Sequence, residues 1–147
     1  MANKGVTMNF SYALTPCLAW LTAGTLKFII NSIKAKKPAF GLIGYGGLPS
    51  NHSAIVSSMS ALIALNEGIG HPAFGVALAL AFIVIFDAAS LRMQVGKHAA
   101  AINHLDTYAG KPLREQMGHS LIEIGAGIFV GIGVATAVHA CPFVTQL

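Results

Sequence analysis

The chain has 147 residues, about one domain's worth, and pairs 54% hydrophobic residues with only 10% charged ones, where a soluble protein carries about 25% charged. That balance, with a mean hydropathy of +0.67, excludes disorder, a coiled coil and a nucleic-acid-binding module, all of which need far more charge. Nine Lys and Arg against five Asp and Glu leave the chain basic, and in so apolar a protein the matching anion is a lipid headgroup or phosphate rather than DNA.

The expected fold is all-α: an integral membrane helical bundle of about four transmembrane helices, with residues 1–147 forming a single polytopic domain. A span needs about 20 mostly apolar residues. Gly5 to Leu26 carries no charge, and the pattern continues past Lys27 through Phe28, Ile29 and Ile30 to Ile33. A cleaved signal peptide is the alternative for this segment, but no clear small-x-small site precedes its polar end. Ser50 to Leu65 is shorter and rich in serine. It counts as the second span because Asn66-Glu67-Gly68-Ile69-Gly70-His71-Pro72 reads as a tight turn between antiparallel helices. Pro72 to Leu91 holds one charge, Asp87, and Ser120 to Val138 holds one, Glu123. Between them Gln94 to Gly118 has mixed polarity, and Lys97 to Leu105 is expected as a short helix lying in the membrane interface. Cys17 and Cys141 match no zinc or redox spacing.

Four spans put both chain ends and the Glu67 turn on one side of the membrane. The other side carries Lys34, Lys36, Lys37, Arg92, Lys97, Lys111 and Arg114 against Lys4 alone, so the positive-inside rule makes it cytoplasmic. The expected setting is a bacterial cytoplasmic membrane.

Ionisable groups inside spans cost about 2.5–3.5 kcal/mol each on insertion scales, which marks each as a functional candidate. They gather at the cytoplasmic end of every span. Lys27, Asn31 and Lys34 are spaced i, i+4, i+7 and share one helix face; snorkelling lysines look the same, but Asn31 and the inward position of Lys27 favour a polar pocket. Gly46-Gly47-Leu48-Pro49-Ser50-Asn51-His52-Ser53 opens a helix that Ser50 or Asn51 can cap, and free backbone N–H groups there favour an anion close to His52. Capping alone is the plain alternative. His119 and Glu123 are i, i+4 neighbours. A carboxylate on one imidazole nitrogen fixes the tautomer and leaves the other nitrogen as nucleophile or base, although a buried His–Glu pair also serves merely to hold helices together. Gly127 and Gly131 continue that face as a small-residue stripe for close helix approach. Asp87 and Arg92 either pair with one another or leave Arg92 to fork onto a phosphate. His71, His139 and Glu67 fall at the opposite membrane face, and His104 lies in the connecting segment.

In this order, Lys27 and Lys34, Pro49-Ser50-x-His52, and His119-x-x-x-Glu123 before a Gly/Ala-rich helix resemble the three motifs of the type 2 phosphatidic acid phosphatase superfamily, which includes vanadium haloperoxidases. The closer resemblance is to its divergent branch of small membrane proteins, through Gly47 to Ala54, Phe86-Asp87-Ala88-Ala89 with Arg92, and Gly118-His119-x-x-x-Glu123. It covers roughly residues 10 to 135. The resemblance implies a phosphatase that hydrolyses a lipid or isoprenoid phosphate monoester or diphosphate, needs no metal or other cofactor, and passes through a phosphohistidine. Lys27, Lys34, Ser50 and Arg92 would bind phosphate, His52 would protonate the leaving oxygen, and His119, oriented by Glu123, would attack phosphorus. Asn51 stands where the family has glycine, Glu123 where it has aspartate, and Lys34 where it has arginine. A rival frame places Arg92 six residues before His98, keeping an arginine that the His119 frame replaces with Leu113, but it puts Ile102 where the acid belongs. The implied partners are a lipid-phosphate substrate and membrane lipids, with no nucleic acid. Because four spans are fewer than the six-helix core usual in the superfamily, a homodimer is also expected to be one route to activity. The alternative function is a non-catalytic membrane module that binds or moves an anionic phospholipid in the same pocket.

Overall fold

The computed structural model describes residues 10–36, 38, 47–105 and 110–141. Among these, every regular element is helical: α1 (Ser11–Ala35), α2 (Asn51–Asn66), α3 (Pro72–Phe86), a five-residue π-helical turn (Asp87–Leu91), α4 (Arg92–Asn103) and α5 (Leu121–His139). The sequence explains where each begins. Ser50 caps α2 by accepting from the Ser53 N–H, and His71 caps α3 through Nδ1 with Pro72 at its first position, where a missing N–H costs nothing. Ser120 and Glu123 form a reciprocal capping box at α5.

Among the described residues, three helices are long and apolar enough to cross a membrane: α1, the continuous Pro72–Asn103 helix, and α5. The fourth, α2, has 16 residues and sits among the others, packed on α1, α3 and α5. Its serines account for this place. Ser53, Ser57, Ser58 and Ser60 are buried, and the hydroxyls of Ser57, Ser58 and Ser60 donate to the carbonyls of Ser53, Ile55 and Val56 within the same helix. Their polarity is thus satisfied locally, and their small size lets neighbours come close. A Cβ on Gly127 would strike the Ser50 carbonyl and Ser53 Cβ, and one on Gly131 would strike Ser57 Oγ and the Ala54 carbonyl. The glycine stripe of α5 therefore lies directly on the serine face of α2. On α1 the buried residues recur every fourth position, Ser11, Thr15, Ala19 and Ala23, and Ala19 and Ala23 meet Ala54 of α2.

The segment after α3 differs from the expected interfacial helix over Lys97 to Leu105. A π turn carries α3 straight into α4, giving one 32-residue helix from Pro72 to Asn103. At 1.5 Å per residue this is about 48 Å, longer than a hydrocarbon core of about 30 Å. The chain then returns along α4. Asn103 donates to the Leu113 carbonyl and accepts from the Leu113 N–H, both at 2.8 Å, and Gly96 leaves room for the Glu115 carbonyl against α4. Two hydrogen bonds close the far end of the bundle, Tyr12 Oη to Glu67 Oε1 at 2.5 Å and His139 Nδ1 with Asn66 Oδ1 at 2.6 Å.

Candidate active site

The polar residues at the other end converge where α2 and α5 both begin. The first residues of these helices are tied together, with the Ser50 N–H donating to the Glu123 carbonyl at 2.9 Å. The same contact sets His52, in the first turn of α2, near His119, just ahead of α5. Their ring centroids are 5.9 Å apart and the rings are tilted by 55°.

His119 is held from three directions. Its backbone N–H donates to the Ala88 carbonyl at 3.0 Å. That carbonyl lies in the π turn, where the Arg92 N–H reaches back five residues to Asp87. The extra residue takes the carbonyls there out of α-helical register and leaves one for an outside donor, a common use of π bulges near functional sites. Gly118, at φ +92°, makes the turn that delivers His119, and a Cβ there would come within 2.7 Å of Met93 Cγ, so glycine is required on both counts. Third, the imidazole Nδ1 lies 3.1 Å from Glu123 Oε2. The same carboxylate oxygen accepts from the Ser120 N–H at 3.0 Å. Glu123 is thus fixed by the helix start it caps, and an ionised carboxylate there selects the Nδ1–H tautomer of His119 and frees Nε2.

Burial pushes the His119 imidazole below its ordinary range, and the Lys27 and Arg92 charges add to this, while the hydrogen bond and charge of Glu123 oppose it. His119 is therefore neutral at neutral pH, the form in which Nε2 carries a lone pair. His52 feels the same two cations, Arg92 and Lys27. Lys27 continues the inward stripe of α1 one turn beyond Ala23 and is half-buried. Arg92 directs Nε to Asp87 Oδ2 at 3.1 Å; its two terminal nitrogens are left to another acceptor. Ser50 is buried, and its Oγ accepts from the N–H and hydroxyl of Ser53 at 3.4 and 3.1 Å.

Lys34 is exposed in the last turn of α1. Seven residues past Lys27, it lies about 10 Å further along the helix axis. His98 is exposed on α4, as is Ile102. Asn31 instead packs its side chain against Gly47, whose φ is +140°. Sequence reasoning missed Asn103 and the Ala88 carbonyl, which hold the segment that positions His119. A backbone acceptor leaves no residue-type signal, and a lone Asn near a helix end looks like a cap.

The chain is similar to an uncharacterised membrane protein, YuiD, of Bacillus subtilis (strain 168), with 31% identity over 81% of this chain and 87% of that protein. No solved structure matches it. The family model described as "Divergent PAP2 family" matches residues 8–134, a stretch that contains all the helix starts, both histidines and the π turn, and the chain belongs to that family.

Proposed function

We propose that the protein is a membrane phosphatase that hydrolyses a lipid or isoprenoid phosphate through a phosphohistidine on His119. The observation that carries this reading is the 5.9 Å separation of the His52 and His119 rings, with Glu123 on the Nδ1 of one of them. Rings this close can both reach one phosphoryl group, one nitrogen at phosphorus and the other at an ester oxygen, which is the arrangement nucleophilic attack with general acid catalysis needs.

In the first step the His119 Nε2 lone pair attacks phosphorus, the bond from phosphorus to the ester oxygen breaks, and His52, protonated beside the bound phosphate anion, gives its proton to the departing alkoxide. Glu123 stabilises the positive charge that develops on His119. Lys27, Arg92 and the N-terminus of α2 stabilise the charge on the transferring oxygens, where most of the barrier lowering in phosphoryl transfer arises. In the second step His52 takes a proton from water as its oxygen attacks phosphorus. The N–P bond then breaks, releasing inorganic phosphate and free His119. The sum is ester plus water giving alcohol plus phosphate. By the excess of Lys and Arg beside it, this end of the bundle faces the cytoplasm.

The test is phosphate release by the purified chain from a panel of lipid and alkyl phosphates, with rapid acid-free quenching to trap a phosphohistidine. Turnover that His119→Ala abolishes and His98→Ala leaves intact supports the assignment. The reverse pattern moves the reaction centre to the segment after Arg92. Binding of anionic lipid without turnover in the unaltered protein would make this a lipid-binding module.

A further inference from the structure

Beyond the phosphate pocket, α2 has one flank that no helix covers. Ser50, Ser53, Ala54 and Ser57 meet α5 through its glycines. Ala54 and Asn51 meet α1, Ala54 through Ala19 and Ala23 and Asn51 through Gly24, whose added Cβ would lie 3.8 Å from Asn51 Nδ2. At 100° per residue the buried Val56, Ser60 and Ile63 fall on the far flank, which leaves them for α3. His52, Ile55 and Met59 lie between the α1 and α3 flanks at helical spacing. All three are half-buried on a helix whose neighbouring positions are mostly buried. Both α1 and α3 pack on α2, yet they do not form a packed pair with each other. Among the described residues a cleft is thereby left along α2 between them, about 10 Å from His52 to Met59. Its lower end is crossed by the hydrogen bond from Tyr12 of α1 to Glu67. At its upper end stand His52 and the two cations acting on it, Lys27 from one wall and Arg92 from the continuation of the other.

We propose that this cleft holds the hydrocarbon chain of the phosphate ester, with Ile55 and Met59 as its floor and Met59 as the residue that sets preference for a long chain over a short alcohol. The inference rests on the phosphatase reading for the headgroup and adds where the rest of the substrate lies. The argument is the match of charge and polarity along one line. An apolar strip that ends at two cations and a histidine pair fits an anionic amphiphile with its phosphate uppermost, whereas the outer faces of α3 and α5 offer apolar surface without that headgroup site. Burial of chain methylenes in the cleft adds to affinity roughly in proportion to the area covered.

The experiment uses the full chain in phosphatidylcholine nanodiscs and two probes, dodecyl phosphate and ethyl phosphate. In the first arm, dodecyl phosphate carrying a diazirine midway along its chain is photolysed on the unaltered protein and the adducts are mapped by mass spectrometry. Adducts within residues 55–59, suppressed by excess unlabelled dodecyl phosphate, are expected. Adducts confined to the outer face of α3, or labelling that no competitor suppresses, would overturn the proposal. In the second arm, Met59→Trp fills the cleft, and the ratio of kcat/KM for dodecyl to ethyl phosphate is expected to fall about tenfold, equivalent to ~1.4 kcal/mol. An unchanged ratio would overturn it. If the unaltered protein hydrolyses neither probe while the competed adducts still map to residues 55–59, the phosphatase reading fails and the chain-binding cleft stands.

Discussion

Glu123→Gln separates two roles of one carboxylate. The side chain caps α5, where Gln serves as well as Glu in a capping box, and it accepts from the imidazole of His119 at 3.1 Å, where Gln supplies no charge. The helix start should therefore survive, with a stability change well below the roughly 1 kcal/mol that losing a cap costs. Turnover should not survive. The orienting carboxylate of a triad contributes about 10⁴-fold by fixing the tautomer and stabilising the imidazolium, and a loss of about 10³- to 10⁴-fold in kcat is expected here. The pH dependence carries a second, sign-specific expectation. Glu123 opposes the burial that lowers His119, so removing its charge lowers that group further. The nucleophile is active when neutral, so the acid limb of the pH–rate profile should move to lower pH even as the plateau falls. Phosphate release from an alkyl phosphate, followed across pH beside a thermal melt, measures all three quantities. A fully active Glu123→Gln, or an acid limb that moves to higher pH, would refute the orienting role. Glu123→Ala should add the missing cap, and with it a lower melting temperature.

Gly131→Val should prevent close contact between α5 and α2, because even a Cβ there meets Ser57 Oγ and the Ala54 carbonyl. Overpacking of this kind costs about 1–3 kcal/mol, read as a lower melting temperature in detergent, while Gly133→Ala, open on that side, should leave it unchanged. Gly118→Ala should reduce kcat far more than it alters KM, since φ +92° and the Met93 contact govern the delivery of His119 rather than the cations; an equal change in both constants would contradict this. Single cysteines at Lys36 and Thr7, in a chain lacking Cys17 and Cys141, report orientation through an impermeant thiol reagent on intact cells. Labelling at Thr7 but not Lys36 is expected, and the opposite pattern reverses the topology.

Much of the site was legible because its chemistry depends on short, fixed spacings. An i, i+4 His–Glu pair ahead of an apolar helix and a Pro-Ser-x-His run at a helix start announce both their residue types and their geometry. The stripe of Ser11, Thr15, Ala19 and Ala23 points Lys27 inward by the same arithmetic. Lys34 obeys that arithmetic and still ends exposed about 10 Å further along α1, because a shared helix face fixes direction around the axis but not height along it. The continuity of α3 with α4 was hidden for a different reason. Asp87, Arg92 and Gln94 read as the end of a span, and only the π turn, a property of backbone hydrogen bonding, shows that the helix continues past them.

The serine-rich helix α2 holds the centre, and this choice connects the fold to the chemistry. A helix facing lipid must present large apolar side chains, which keep neighbouring backbones apart. With three of its flanks covered by α1, α3 and α5, α2 is free to use serine and alanine there, and the glycines of α5 then come into backbone contact with it. Close approach brings the first residues of α2 and α5 to one level, where the Ser50 N–H meets the Glu123 carbonyl and His52 meets His119. Two helix N-termini at the same height also direct their positive dipole ends to one place. A bulkier interface would separate the histidines and disperse that field together, so the small residues buried far below the site set its geometry as firmly as the groups that line it.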